Sequence, residues 1–190
     1  LQQLPLRNDW SWVQGQVDGV FVGGTIDNPD VIDKEAGTLS LEAYLALYGA
    51  TRDPKWLARA RIAAAFAETW IYLWDVPMPP GGAAAGWKPG VPTTGAQLIA
   101  TGHSLVDEYM SFDVDSFARL GRETGDAHDT DVARLLLHDT KAMLALPGRV
   151  YDLRGPGWQQ EHWSMAPKRG DGLHRGWLPW VSTSQLRGIG

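Results

Sequence analysis

The chain has 190 residues, no cysteine and a formal net charge of −5 at pH 7, with 44% hydrophobic and 21% charged residues. These values are typical of one globular domain, and they exclude disulfides, cysteine-based zinc sites and thiol nucleophiles from the sequence. The mild negative charge argues against nucleic acid and anionic membranes as partners. No run approaches the roughly 18 apolar residues that span a bilayer.

The N-terminal segment, 1–37, is predicted to be irregular with short strands. "DWSWVQGQVDGVFVGGTIDNPD" alternates loosely in hydrophobicity, and its Gly and Asp residues are turn signals. The acidic stretch "DNPDVIDKE" lacks the glycine and the twelfth-position Glu of an EF-hand loop, so an Asx-rich turn is favoured over a calcium site. The sequence therefore predicts no metal and no cofactor.

A first helical hairpin is predicted over 38–75. In "GTLSLEAYLALYGA" large apolar residues recur at three- and four-residue spacing, and Gly49 is predicted to end the helix. Asp53 and Pro54 are a strong signal for the start of the next helix, whose apolar face runs from Trp56 to Trp74. A short turn between two helices predicts antiparallel neighbours.

A long Pro/Gly loop is predicted over 76–102, followed by a second hairpin over 103–146. The third helix is expected in "HSLVDEYMSFDVDSFARLG", with a kink near Ser111 to Asp113, and the fourth in "DTDVARLLLHDTKAML". Residues 147–190 are predicted to form a Trp-rich loop that ends in the start of a fifth helix, "GWLPWVSTSQLRGI".

An internal repeat relates the two hairpins. "ALYGATRDPKWLARA" and "ARLGRETGDAHDTDVARLL" share a helix end, a Gly, a Thr-x-Asp turn and a new helix, and the second copy carries one inserted residue. Repeated hairpins indicate an all-α fold built by stacking or closing an array of such units.

The turn "YGATRDPKWLARA" resembles the hairpin turns of six-hairpin (α/α)6-toroid glycoside hydrolases and related polysaccharide lyases. "TGHSLVDEYMSFDVDSFARLGRETGD" is similar to the Gly-His segment of bacterial β-L-arabinofuranosidases of that fold. The resemblance implies part of an (α/α)6 toroid with Gly102 and His103 at the mouth of the active site. Those arabinofuranosidases use a cysteine nucleophile on zinc, which this cysteine-free chain does not contain.

The number of helices adds an expectation about completeness. Four or five helices fall short of the twelve of such a toroid, so the chain is expected to be a fragment of a larger single domain. The compartment and the oligomeric state are left open by the sequence.

Two pairs of polar residues in the second hairpin are candidate site residues. His103 and Asp107 stand four apart, which places them on one face of the predicted helix and suggests binding of a sugar hydroxyl, whereas Asp107 as a solvated charge near a helix start is the alternative. Asp113 and Asp115 are candidate catalytic carboxyls, and the alternative is that Asp115 caps the following helix.

The segment "QQEHW" holds the most attractive constellation. Glu161 is a candidate general acid, with His162 as a substrate-binding group and with Trp158 or Trp163 stacking on a sugar face. The alternative is that Glu161 forms ion pairs that hold a long loop in place. Three further residues are predicted to bind substrate, with an acidic sugar such as a uronate as the ligand of the first two: His174, Arg175 and Trp177.

The count of 10 Trp supports a sugar-binding surface or an aromatic-rich core. Together with the resemblance to six-hairpin toroid enzymes, this makes a glycoside hydrolase acting on a poly- or oligosaccharide with a carboxylate acid/base pair the leading functional hypothesis. The alternatives are a polysaccharide lyase of the same fold, with Tyr109 or His103 as the base, and a non-catalytic helical-hairpin binding or scaffold module.

Overall fold

The computed structural model describes residues 22–23, 31–32, 34–77, 90–99, 105–142, 144–150, 153–159, 161–164 and 179–189. This part of the chain is mostly helical, which confirms the predicted class. The chain divides into two compact units. The first contains 1–70, 99–103 and 116–132, and the second contains 71–98, 104–115 and 133–190. Within the described residues, no helix is both long and apolar enough to cross a membrane.

The first unit is built on a helical hairpin. Helix α1 is Lys34–Thr51 and helix α2 is Pro54–Glu68. The ring of Tyr44 stacks on Trp56 near the turn, with centroids 5.9 Å apart, whereas Gly37, farther from the turn, lies against Phe66. The later part of α1 thus contacts the start of α2, and the start of α1 contacts the later part of α2. The helices are therefore antiparallel, as predicted. A two-residue ladder of β1 (Val22–Gly23) and β2 (Val31–Ile32) precedes the hairpin in the chain.

The end of α1 differs from the prediction. Gly49 lies inside the helix, where its missing side chain leaves room for Arg119. The Arg119 guanidinium donates a hydrogen bond of 2.7 Å to the carbonyl oxygen of Leu45. The chain instead leaves the helix at Arg52, whose φ of 53° is in the left-handed region. The prediction that Gly49 ends the helix is therefore wrong.

The two turns that the sequence repeat relates have the same pattern of hydrogen bonds. Helices α3 (Asp113–Thr124) and α4 (Ala127–Asp139) are joined by Gly125, which is left-handed like Arg52 (φ 73°), and by Asp126. In each turn the left-handed residue donates its N–H to a carbonyl four residues earlier. The Asp then accepts an N–H from two residues later at 3.0 Å, which caps the next helix.

The predicted third helix begins later than expected. Leu105–Asp107 is a strand, β3, and Glu108–Phe112 is a 3-10 helix, so α3 starts only at Asp113. The prediction that His103 and Asp107 share a helix face is thus wrong, because Asp107 belongs to a strand. The helix cannot start earlier, since the backbone of β3 is paired with β4, His162–Ser164.

The second unit has a small apolar core around short extended segments. Bridges join Ile71 to Gln97 and Leu98 to Val106, next to the β3–β4 ladder. Among the described residues, one cluster of buried apolar side chains consists of Ala96, Val106, Ala145 and Leu153. The fifth helix, α5 (Pro179–Ile189), confirms the predicted C-terminal helix. It packs on the 3-10 helix, where Arg187 lies over the ring of Phe112.

Candidate active site

Several predicted site residues lie outside the described part of the chain. These are Gly102, His103, His174, Arg175 and Trp177. Their predicted contacts with a sugar stay predictions.

The β3–β4 ladder brings two predicted segments together. Asp107 pairs directly with His162, and Val106 pairs with Trp163. The Gly-His segment and the "QQEHW" segment therefore meet along the backbone, although they are far apart in sequence.

The two acidic residues at the start of α3 have different environments. Asp113 is fully buried, with 0% of its surface exposed, whereas Asp115 is exposed. Both lie in the first turn of the helix, where an acidic side chain is favoured by the helix dipole. Asp115 follows the first helical residue, so it is not the residue that precedes and caps the helix.

Trp158 and Glu161 are both half-buried in the second unit. Trp158 packs against the core formed around Ala145 and Leu153, and its carbonyl oxygen accepts a hydrogen bond of 2.9 Å from the N–H of Ala145. Glu161 immediately precedes β4, so it is close along the chain to the paired His162.

A cavity of about 160 Å³ opens in the second unit, next to the end of α4. Its lining includes Asp139, the last residue of that helix, and the turn that contains Thr94. Asp139 is 5% exposed, and its Oδ1 atom has no hydrogen-bond partner among the described residues. Burial raises the pKa of the Asp139 carboxyl to about 8. Burial therefore favours the protonated form of a carboxyl group that lines a cavity.

The burial of Asp139 depends on a glycine. Gly95 has a φ of 96°, and a Cβ atom built on it would lie 2.7 Å from the Cβ of Asp139. It would also lie 3.2 Å from the carbonyl oxygen of Leu135. The backbone of this turn thus covers one side of Asp139 and excludes water from it. The adjacent C-terminus of α4 further disfavours a negative charge, because its carbonyl dipoles point towards it.

A second carboxyl group, that of Asp75, is held by hydrogen bonds to the same turn. Oδ1 of Asp75 accepts hydrogen bonds from the Thr94 hydroxyl at 2.6 Å and from the N–H groups of Thr93 and Thr94 at 3.1 Å each. The hydrogen bonds from Thr94 lead in holding the pKa of Asp75 below its ordinary value, so this group is ionised at pH 7. Adjacent residues, Thr94 and Gly95, therefore contact two carboxyls whose pKa values are shifted in opposite directions.

An exposed aromatic residue adjoins this pair. Trp74 is 67% exposed, and its carbonyl oxygen accepts a hydrogen bond from the Thr93 hydroxyl at 3.3 Å. The hydroxyl of Thr93 lies 2.7 Å from the N–H of Val76, so the segment around Trp74 is held at both sides. An indole held by its backbone and open to solvent is suited to stacking on a flat apolar face.

Sequence analysis missed Asp139, although the sequence contains a signal for it. Val132, Leu136 and Asp139 stand at spacings of four and three, which places them on one face of α4. Val132 and Leu136 are buried, so the same face continues into a carboxyl group. A carboxyl on an apolar helix face is the pattern that would have identified this residue.

Comparison with protein-family models, with curated proteins and with solved structures finds no match to this chain. Within the described residues, no group of three or more His, Asp and Glu side chains has the arrangement of a metal site. The chemistry of the site is therefore argued from its own residues.

Proposed function

We propose that this chain is part of a carbohydrate-active enzyme, a glycoside hydrolase that cleaves a poly- or oligosaccharide with a pair of carboxyl groups. One observation carries the proposal: Asp139 is a carboxyl group buried at the wall of a cavity, and this burial raises its pKa. A general acid of a glycosidase needs a raised pKa of this kind, because it must hold its proton until the leaving group departs.

The two carboxyl groups have complementary roles in this scheme. Asp139 donates its proton to the glycosidic oxygen while the bond from that oxygen to the anomeric carbon breaks. Asp75, which is ionised, supports the positive charge on the anomeric carbon, either by attacking it or by taking a proton from an attacking water. The pKa of Asp139 is shifted upwards and that of Asp75 downwards, and such opposite shifts are the general basis for assigning an acid and a base.

Trp74 supplies the platform for the sugar in this proposal. Its indole is exposed beside Asp75, and a sugar ring presents a flat apolar face to such a side chain. Asp113, Asp115 and Glu161, which the sequence predicts as catalytic carboxyls, stay alternative candidates for that role. The repeated hairpin turns are consistent with an (α/α)6 toroid, which we propose as the architecture of the complete domain.

The test compares glycosides with good and poor leaving groups. The chain is assayed on aryl and alkyl glycosides with wild type, Asp139→Asn and Asp75→Asn. We expect Asp139→Asn to lose about 10²- to 10⁴-fold in rate on alkyl glycosides and far less on nitrophenyl glycosides, since a nitrophenolate departs without a proton. Asp75→Asn lowers both rates because it acts at the anomeric carbon.

A control variant and the pH profile complete this test. Asp131→Asn removes an exposed carboxylate on α4 and is expected to leave both rates unchanged. The rate of the wild type should fall as the pH rises through about 8, where Asp139 loses its proton. The proposal is wrong if no glycoside is cleaved, or if Asp139→Asn slows both classes of substrate equally little.

A further inference from the structure

We infer that Thr94 is the residue that positions Asp75 for the proposed reaction: it holds one oxygen of the carboxylate, Oδ1, and leaves the other, Oδ2, as the oxygen that acts on the sugar. The reaction rests on the proposed function, whereas the contact between Thr94 and Asp75 is a property of the structure itself. Thr94 acts through Asp75 here, so it is a positioning residue rather than a catalytic one.

The two carboxylate oxygens of Asp75 have different surroundings. Oδ1 accepts a hydrogen bond from the Thr94 hydroxyl at 2.6 Å and one from each of the N–H groups of Thr93 and Thr94 at 3.1 Å. Within the described part of the chain, Oδ2 accepts no hydrogen bond, and the residue is exposed. Three donors use the lone pairs of Oδ1, whereas those of Oδ2 are open to a ligand.

The hydroxyl of Thr94 is the strongest of these donors. Its O–H···O distance to the carboxylate, 2.6 Å, is in the range of charge-assisted hydrogen bonds, which are roughly twice as strong as neutral ones. This bond leads in holding the pKa of Asp75 below its ordinary value. Asp75 therefore stays ionised over a wide range of pH, as a group that acts at the anomeric carbon requires.

Thr94 projects from a backbone that is paired on both sides. Directly after it, the N–H of Gly95 donates a hydrogen bond of 2.7 Å to the carbonyl oxygen of Tyr72. Directly before it, the hydroxyl of Thr93 accepts the N–H of Val76 at 2.7 Å. The segment that contains the hydroxyl is thus joined to the chain before and after the aspartate.

The assignment defines what each oxygen does in the proposed reaction. The glycosidic oxygen takes the proton of Asp139 while its bond to the anomeric carbon breaks. Oδ2 of Asp75 forms the new bond to that carbon or takes a proton from the water that forms it. Oδ1 keeps its bonds to the turn that contains Thr94, a residue that also lines the cavity beside Asp139.

The first test measures the carboxyl group itself and needs no substrate. Thr94→Val keeps the shape of the side chain and removes the hydroxyl, whereas Thr94→Ser keeps the hydroxyl. The pKa of Asp75 is followed by NMR titration of its carboxyl carbon, with Asp75→Asn used to assign the signal. We expect this pKa to rise towards its ordinary value in Thr94→Val and to stay low in Thr94→Ser.

The second test measures rates on nitrophenyl glycosides, whose departure does not require the proton of Asp139. Thr94→Val is expected to lower kcat/KM about tenfold and to move the acid limb of the pH profile to higher pH with the pKa of Asp75. Thr94→Ser should restore most of the rate. Thr94→Ala also lacks the hydroxyl and replaces Thr94→Val if that variant fails to fold.

Thr69→Val is the matched control for both measurements. It removes a threonine hydroxyl that donates a hydrogen bond of 2.7 Å to the carbonyl oxygen of Phe66, in the first unit. Neither the pKa of Asp75 nor the rate should change in this variant.

Asp75→Asn tests the assignment of the reacting oxygen. The single oxygen of an amide replaces Oδ1 as the acceptor, and the NH₂ group then occupies the position of Oδ2. We expect the midpoint of chemical denaturation to stay close to that of wild type, and the rate to fall about 10²-fold or more. A rate equal to that of wild type would overturn the assignment of Oδ2.

The outcomes separate this inference from the proposed function. An Asp75 pKa that is the same in wild type and in both variants without the hydroxyl overturns the inference, whether or not a glycoside is cleaved. A raised pKa with an unchanged rate and pH profile overturns the positioning role and leaves the glycosidase in place. A raised pKa in a protein that cleaves no glycoside supports the contact from Thr94 to Asp75 and overturns the proposed function.

Discussion

Gly95 is the residue that brings the backbone of the second unit against Asp139. Its φ of 96° is in the region that favours glycine, and its Cα hydrogen occupies the only room beside Asp139 and Leu135. We expect Gly95→Ala to destabilise the protein by about 3 kcal/mol, the sum of a left-handed alanine and the overlap of its Cβ. The measurement is chemical denaturation at pH 6.

Gly148 provides a matched control for this substitution. Its φ is 79°, and a Cβ atom there would meet nothing within 4 Å. Gly148→Ala should therefore cost about 1 kcal/mol, from the left-handed conformation alone. Equal costs at the two glycines would show that the turn moves freely away from Asp139.

The acid at position 139 makes stability depend on pH. Burial raises the folded-state pKa of Asp139 to about 8, far above that of an unfolded Asp, so the folded state binds the proton more tightly. The free energy of unfolding is therefore expected to fall as the pH rises from about 4 to about 8 and to level off above that. Each pH unit in this window is worth up to about 1.4 kcal/mol.

Asp139→Asn isolates this contribution from those of other groups. The stability of the variant relative to wild type should improve by several kcal/mol between pH 5 and pH 9, because Asn does not ionise. Denaturation curves at the two pH values measure the change. A difference between variant and wild type that is the same at both would contradict the assignment of a buried acid.

The roles of some residues could be predicted from the sequence because their signals are local, whereas the roles of others could not. Asp53 was predicted as a helix cap because its signal is complete within a few residues, and its carboxylate does accept the N–H of Lys55. Gly49 was misassigned because its small size serves Arg119, a residue of a distant helix. Asp139 was missed because its burial depends on Gly95, which the helical pattern does not include.

Between elements, α2 and α4 are joined by a histidine–carboxylate pair. Nε2 of His128 lies 2.9 Å from both carboxylate oxygens of Glu68. The hydrogen bond that the His128 ring donates to the Glu68 carboxylate leads in raising the pKa of His128 above its ordinary value. The stabilisation is therefore complete below the unfolded pKa of about 6.5 and is lost as the pH rises through the folded pKa. His128 is 62% exposed at its side chain, so the contribution to stability is small.

Glu68→Gln is expected to lower the pKa of His128 towards its ordinary value. An NMR titration of the imidazole resonances measures it, with His128→Gln used to assign the signal. Glu123→Gln serves as the control, because Glu123 pairs with Arg52 in the same unit and should leave His128 unchanged. An unaltered His128 titration in Glu68→Gln would contradict the pairing.

Strands and helices differed in how far the sequence predicted them. The hairpin helices follow from apolar spacing and from the repeated Thr-x-Asp turns, which are local signals. Strand β3 does not follow from a local signal. Leu105–Asp107 is extended because it pairs with His162–Ser164, far later in the chain. The juxtaposition of Asp107 and His162 was therefore not predictable from spacing, although both residues had been selected.

At the scale of the whole molecule, both units are assembled from separate stretches of chain. The first unit combines 1–70 with 99–103 and 116–132. Its hairpin α1–α2 is held to the later stretches by several contacts: Lys34 N–H to Ile99, Arg119 to Leu45, Arg52 to Glu123, Arg61 to Asp126 and Glu68 to His128. The hairpin therefore obtains part of its stability from residues far along the sequence.

A peptide of residues 34–70 is expected to be less than half as helical as the same residues in the full chain. Without the later stretches it loses these contacts and buries less apolar surface, and isolated helices of this length are marginal in water. Circular dichroism of the peptide, compared with NMR secondary shifts of the full chain, measures the difference. Cooperative thermal unfolding of the isolated peptide would contradict this view.

The hydrogen bonds that hold the carboxylate of Asp75 have an entropic consequence for any ligand that binds to it. Three donors from two adjacent residues hold one oxygen of the carboxylate, so its rotation is already restricted in the empty protein. A flexible surface aspartate would have to give up that freedom each time a ligand bound. Here the cost is met once, when the protein folds, and a visiting molecule encounters a carboxylate that is already aligned.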